Sequence, residues 1–281
     1  MTVSFQVRIL ASELRRLREL AGHTQSQAEE AAGLTAGSLS RYETCTSAIA
    51  VPAAQLLLRD VYGVRGDRLD DLLELARVGR RRRPKGSGPG VLWPPVEDLA
   101  ILERDASTMQ TLALVLVPGV LQTEDYARAI LGAGRLGADV EKHVQARLGR
   151  AEAVFNRSDP PEYWAILRES VLRCHVGGRD VMAQQLDHLA AVADRPRCMI
   201  QIIPDSHGAH PSMTTAYVLL SFSLAPDFKV AYLDYPTGSL YIDQQPEVGT
   251  YAGMYPHLVA AALPPAESLA LIHRTREELY T

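Results

Sequence analysis

At 281 residues, with 47% hydrophobic side chains and a net charge of −4, the chain is long and apolar enough to bury more than one core, and two domains are expected. Its three cysteines, Cys45, Cys174 and Cys198, stand at wide, unrelated spacings that build neither a disulfide framework nor a CxxC metal knuckle, so no metal and no cofactor are expected. Arg8 and Arg15 interrupt the first twenty residues, and no apolar run approaches the roughly 18 residues needed to span a bilayer; a cytoplasmic protein with no membrane partner is expected.

Charge divides unevenly along the chain. Residues 1–85 hold 14 Lys and Arg against 10 Asp and Glu, and the remainder holds 15 against 23. A modestly basic start beside an acidic body suits a phosphate-facing module joined to a domain that DNA would repel.

From residue 9 to residue 52 the pattern predicts short amphipathic helices punctuated by Gly22 and Gly33, with Thr24 and Thr35 ahead of two consecutive runs. Such a succession is the grammar of a helix-turn-helix, whose second helix lies in the DNA major groove. Helices over 52–62 and 67–79 follow, Pro52 suiting a first turn and Asp67 a cap. They complete a five-helix, all-α domain over residues 1–79.

Several elements in this stretch, Leu14-x-x-Leu17-Arg18, Thr24-Gln25, Ala32-Gly33-Leu34-Thr35 and Leu39-Ser40-Arg41-Tyr42-Glu43-Thr44, resemble the Xre-type DNA-binding domain. The resemblance implies that Thr24 caps the second helix and that Gln25 touches a backbone phosphate. It also implies that Gly33 turns the chain into a recognition helix capped by Thr35, with Ala36, Gly37, Ser38, Ser40 and Arg41 facing the groove. Double-stranded DNA is the partner this implies.

Three departures read as weakenings. Ala28-Glu29 replaces the family's Leu-Ala, so a carboxylate stands where a small residue packs and must snorkel outward or carry a desolvation cost. Cys45 replaces a glycine where positive φ is needed, a strain of about 1 kcal/mol. Gly37, read as lying within the recognition helix, lowers helix propensity by about 1 kcal/mol and offers no side chain to a base. A working repressor and a retired DNA-binding module are both compatible with these changes.

Breakers and arginines accumulate from Gly79 through Arg80-Arg81-Arg82-Arg83-Pro84-Lys85 to Gly90, so residues 80–93 read as a basic linker, or as a segment that lies along phosphates. Residues 94–281 read as an α+β domain, with a sheet of about five strands and helices packed on it. In order, they predict a helix over 94–111, a break at Pro118-Gly119, a helix from Thr123 and another over 139–156. A strand YWAILR, a helix over 178–193 and a strand CMIQIIP then form a strand-helix-strand unit. Strands TAYVLLSFS, KVAYLDYP and GSLYIDQ follow, the last two joined at Thr237-Gly238 as a hairpin, and helices over 245–262 and 265–279 close the chain.

This body is similar to the domain of unassigned function fused behind Xre modules in many high-GC bacteria. The likeness rests on Val117-Pro118-Gly119-Val120-Leu121-Gln122-Thr123-Glu124-Asp125-Tyr126-Ala127-Arg128, on Glu169-Ser170-Val171-Leu172-Arg173 with Gly177, on Gln185-Leu186-x-x-Leu189, and on Gln201-x-x-Pro204 with Gly208-Ala209-His210. Arg147-Leu148-Gly149-Arg150 is followed by Ala151 where related chains show Gln. The resemblance implies a transcriptional regulator, often encoded beside a small partner protein, and names no effector.

Among candidate chemistries, His207 and His210 on a Gly- and Pro-containing loop lack the fixed geometry of a helix and read as turn polarity rather than a metal site. Cys174 and His175 point to opposite faces of an extended segment and do not serve each other. A small-molecule pocket is the better candidate, assembled from Glu103, Gln122, Tyr126, Glu169, Tyr232, Asp234, Tyr241 and Asp243. Two-residue alternation puts Tyr232 with Asp234, and Tyr241 with Asp243, on one strand face each.

These residues support a DNA-binding regulator whose C-terminal body senses a small-molecule effector or partner protein and which pairs as a homodimer on two half-sites. The alternative is a biosynthetic enzyme or small-molecule-binding protein on the same scaffold, with Glu169 and Asp234 as its catalytic carboxylates.

Overall fold

The computed structural model describes residues 4–79, 96–134, 139–235, 238–244 and 246–280. The linker expected over 80–93 and the turn residue Thr237 lie outside the described residues. Two compact units divide the chain, Met1–Val91 with Ser221–Lys229, and Leu92–Leu220 with Val230–Thr281.

In the first unit, α1 (Phe5–Leu20) starts at Ser4, whose hydroxyl accepts the Val7 N–H. Leu10 and Leu14 fall on its buried face. Helices α2 (Gln25–Ala31) and α3 (Ser38–Glu43) follow, then α4 (Val51–Gln55), which runs on into a π-helical turn over Leu56–Val61, and α5 (Gly66–Gly79). Leu10, Leu14, Ala28, Leu39, Leu57 and Leu72 meet in one core. Glu13 on α1 is fully buried; it pairs with Arg16 one turn on and with Arg68 of α5, tying the first helix to the last.

The second unit is α+β, although the end of one of its strands and the start of the next, within Ser221–Lys229, are counted with the first. Helix α6 (Val96–Asp105) precedes β1 (Thr108–Ala113), a 3₁₀ turn (Gly119–Leu121), α7 (Glu124–Gly134) and α8 (Val140–Phe155). Then come β2 (Glu162–Arg168), α9 (Glu169–Arg173), α10 (Arg179–Ala193), β3 (Cys198–Ile203), β4 (Tyr217–Phe222), β5 (Ala225–Tyr235), β6 (Gly238–Ile242), α11 (Glu247–Ala261) and α12 (Pro265–Tyr280). The strands form one mixed sheet in the order β3-β2-β1-β4-β5-β6.

The sheet therefore has six strands where about five were expected, and the additional one is β1. The helix predicted over 94–111 is a shorter helix followed by this strand. Leu99, Leu102, Ala106 and Met109 recur at helical spacing across the junction, and β1, a central strand buried from Thr111 to Ala113, alternates only over Thr108–Gln110, too short a stretch to outweigh the helical period.

Strands β1, β2 and β3 run parallel, Thr108 opposite Glu162 and Tyr163 opposite Cys198. The strand-helix-strand unit of β2, α10 and β3 is as expected. Strands β5 and β6 pair antiparallel with Tyr232 opposite Tyr241 and Asp234 opposite Ser239. On one sheet face Leu112, Ile166, Tyr217, Leu219 and Ala231 meet Tyr255 and Leu258 of α11. On the other, Tyr232, Asp234 and Tyr163 belong by alternation to the face over which α6 and α8 pack.

Candidate functional site

Within the first unit the helix-turn-helix is held by two buried carboxylates. Thr24 caps α2 through a reciprocal capping box with Gln27, as the resemblance implied for Thr24. Glu29, only 5% exposed, reaches from α2 to the start of α3. Its Oε2 accepts the Gly37 N–H at 3.0 Å and its Oε1 the Leu39 N–H at 2.7 Å. The carboxylate thus satisfies two of the donors that a helix N-terminus leaves without partners, and its charge complements the helix dipole there. Reading Glu29 as a weakening is corrected by this geometry.

Two further readings change with it. Gly37 does not lie within the recognition helix; it is the residue before α3, at φ +76°, a left-handed conformation that glycine adopts without strain. The cap is not the Thr35 hydroxyl but Glu29, while the Thr35 carbonyl accepts the Ser38 N–H at 3.0 Å. Cys45, by contrast, does take positive φ, at 57°.

Glu43 at the end of α3 makes the second clamp. Arg18 of α1 donates to it through Nε at 2.6 Å and Nη2 at 3.0 Å, with the Arg18 side chain 12% and the Glu43 side chain 3% exposed. The hydrogen bonds to Glu43 hold the Arg18 guanidinium above its ordinary pKa. Gln25, expected at a phosphate, donates its amide to the same carboxylate at 2.8 Å.

Of the residues expected to face DNA, Thr35, Ala36 and Arg41 are exposed and Ser40 is half-buried. Ser38 is buried, its Oγ accepting from Arg41 Nη2 at 3.1 Å. Among these residues Arg41 alone is charged, and it is exposed, with Ser38 partly orienting it.

In the second unit a cavity of about 490 Å³ opens between the sheet and helices α6, α7 and α8. It lies where β1 adjoins β4. Strand β1 has β2 on one side, to which it connects through α7 and α8, and β4 on the other. Glu103, Gln122, Tyr232 and Asp234 line it, as do Arg147, Arg150 and Tyr163.

Glu103 of α6 is nearly buried and accepts a fork from Arg150 of α8, Nε at 2.8 Å and Nη2 at 2.7 Å. Burial works against the Arg150 charge, but the Glu103 charge and hydrogen bonds outweigh it and raise the pKa. Tyr232 shares its hydroxyl with Ser239 at 2.9 Å, and Ser239 also donates to Asp234 at 3.0 Å. Burial pushes the Tyr232 phenol up to about 12.

The wall formed by the VPGVLQT run is built by side chains that grip its backbone. Tyr126 accepts the Val117 N–H at 3.1 Å, and Gln122 donates to the Val117 carbonyl at 2.7 Å while accepting from Arg147 Nη1 at 2.7 Å. Gln185 of α10, fully buried, accepts the Thr123 N–H and donates to the Leu121 carbonyl, both at 2.8 Å. The backbone groups of the run are thus met by buried amides and a phenol.

Residues 96–274, more than half of the chain, match the family described as a domain of unknown function (DUF5753). The chain belongs to this family. Ahead of the DUF5753 region, residues 9–72 match a helix-turn-helix domain, a DNA-binding module. No curated protein and no solved structure matches the chain.

Within the DUF5753 region the structure brings together only part of the expected pocket set. Tyr126 is fully buried and supports the wall without lining the cavity. Tyr241 packs at a tilt against Tyr232, ring centroids 5.1 Å apart, outside the cavity lining. Asp243 follows β6 and accepts from Gln244 at 3.0 Å. Glu169 lies on α9, pairing with Arg173 at 2.7 Å and accepting the Asp205 N–H at 3.0 Å. Glu169 is therefore not beside Asp234 at the cavity, and the two carboxylates proposed for an enzyme do not converge.

Arg147, Arg150, Tyr163 and Gln185 were not singled out as site residues. The i, i+3 spacing of Arg147 and Arg150 does put both on one helix face, which is the signal that marks them. His207 is exposed, His210 Nδ1 contacts the Pro211 carbonyl at 2.8 Å, and among the described residues no group of three His, Cys, Asp or Glu could hold a metal. Nor is any described helix long and apolar enough to cross a membrane.

Proposed function

We propose that the protein is a transcriptional regulator that binds DNA through its helix-turn-helix and a small-molecule effector through the cavity of the DUF5753 region. The helix-turn-helix domain over residues 9–72 carries the reading. Support for the DNA-binding half is that α3 is capped, clamped at both ends and presents Arg41 to solvent, which favours a working module of Xre type over a retired one. Support for the effector half is a cavity within the 300–1,000 Å³ range of small-molecule sites, with mostly apolar walls and a few polar groups. Two copies act together on half-sites about one helical turn apart, because a single module buries little surface on DNA.

The test is fluorescence anisotropy of the full chain with DNA from upstream of its own coding region and with unrelated DNA, at about 50 and 200 mM salt. Selective, salt-sensitive binding is expected. Arg41→Ala is expected to weaken it by about 1–3 kcal/mol at a base edge, or to lower the salt slope by about one at a phosphate, with folding unchanged. Binding no tighter than to unrelated DNA, by folded protein, would refute the regulator.

A further inference from the structure

The cavity's polar groups indicate what kind of molecule it takes. Its lining contains two guanidinium groups, Arg147 and Arg150, and two carboxylates, Glu103 and Asp234, so the signs are balanced. Glu103 and Arg150 are matched to each other in a two-point fork. At this pair an anion meets the Glu103 carboxylate and a cation meets Arg150, so either loses its hydration beside a charge that is already matched.

The pair is also turned so that its donor side is the more accessible. The Arg150 side chain is 13% exposed and that of Glu103 4%. Arg150 uses Nε and Nη2 on Glu103, and its Nη1 lies outside the fork. A guanidinium has only donors, so the group that meets it must be an acceptor.

Around this polar point the walls are apolar, including Leu99, Met109, Leu131 and Val218. At the edge, Val115 and Leu116 belong to the lining and are 66% and 37% exposed, apolar surface that a ligand body would cover. On the reading that this cavity is a small-molecule site, we propose that it takes a neutral, mainly apolar molecule bearing a carbonyl oxygen, which accepts a hydrogen bond from the outer edge of Arg150.

The test uses three probes with one nine-carbon body and different heads: 2-nonanone, nonanoate and nonylammonium, each titrated calorimetrically into the full chain. 2-Nonanone is expected to bind at least tenfold tighter than either ion. Replacing the pair together, Glu103→Leu with Arg150→Met, strands neither charge and is expected to cost the ketone about tenfold. Val115→Asp, at an exposed position that folding tolerates, puts a carboxylate at the edge and is expected to weaken the ketone and favour nonylammonium. If nonanoate or nonylammonium binds the unaltered chain as tightly as the ketone, the ligand class is wrong while the cavity stands as a binding site. If no probe binds, or if ketone affinity is untouched by both Val115→Asp and the cavity-filling Val218→Trp, the small-molecule site itself is refuted.

Discussion

Replacing Glu29 by alanine separates two opposite accounts of the same residue. A carboxylate carried in the core only at a desolvation cost would make Glu29→Ala stabilising. The structure predicts the reverse, since the side chain accepts two backbone N–H groups ahead of and within the first turn of α3, one of them fully buried. Hydrogen bonds to a charged group contribute about 1.5–3 kcal/mol each, and a stranded buried donor costs about 1–3 kcal/mol. Gly37 is exposed, so water can replace its partner; the Leu39 N–H is buried and has no such replacement. The net loss on Glu29→Ala is therefore about 2–3 kcal/mol, or roughly 30- to 200-fold in the opening equilibrium of α3. Hydrogen exchange followed by mass spectrometry reads this directly, as lost protection of the Ser38–Glu43 segment while α5 keeps its own. Glu29→Gln retains one acceptor and is expected to lose about half as much. Unchanged or increased protection of α3 in Glu29→Ala would refute the capping argument.

Three other outcomes follow from particular geometries. Cys45→Gly relieves a non-glycine residue of φ +57° and is expected to raise stability by up to about 1 kcal/mol, read as a higher midpoint in urea with an unchanged slope. Glu43→Ala leaves Arg18, whose side chain is 12% exposed, with only the His23 carbonyl and the more distant Glu19 carboxylate, and releases Gln25; a loss of about 1.5–3 kcal/mol in the helix-turn-helix is expected from its thermal unfolding. Burial raises the Tyr126 and Tyr232 phenols to about 12, so in the folded chain they stay neutral where an unfolded phenol, near 10, has ionised. The stability they contribute is full below pH 10 and is lost as pH rises through about 12. An ultraviolet phenolate titration in which Tyr126→Phe or Tyr232→Phe removes amplitude near pH 10 rather than near 12 would contradict it.

What sequence reasoning recovered and what it missed divide along physical lines. The helices of the first unit were legible because caps and 3.6-residue periodicity are local, and Thr24 with Gln27 is local in the same sense. The shared face of Tyr232 and Asp234 was legible because strand alternation is local too. Strand β1 was not, since this central strand alternates only over Thr108–Gln110 and is buried from Thr111 onward, so little distinguishes it from a continuing helix. Glu29 was misread because its partners stand eight and ten residues away across a turn. At the cavity, Gln122 and Tyr126 were singled out for their polarity, but a polar side chain near a pocket can serve the wall rather than the ligand. Both grip Val117, and only the folded arrangement distinguishes the two uses.

The buried pairs in the two units carry different arguments. Glu13 with Arg16 and Arg68, and Glu43 with Arg18, join helices around the helix-turn-helix core. Glu103 and Arg150 also join two helices, α6 and α8, but they do so on the wall of a cavity. Desolvation makes such a pair a weak source of stability, and apolar residues of similar size commonly replace one without loss. Stability alone therefore gives little reason for two charges at this wall. If the pair only braces the helices, Glu103→Leu with Arg150→Met leaves ketone affinity unchanged. If it recognises the ligand, the same double substitution preserves or raises the unfolding midpoint while affinity falls. Measuring both on one variant separates bracing from recognition, which neither single substitution can do, because each leaves a buried charge behind.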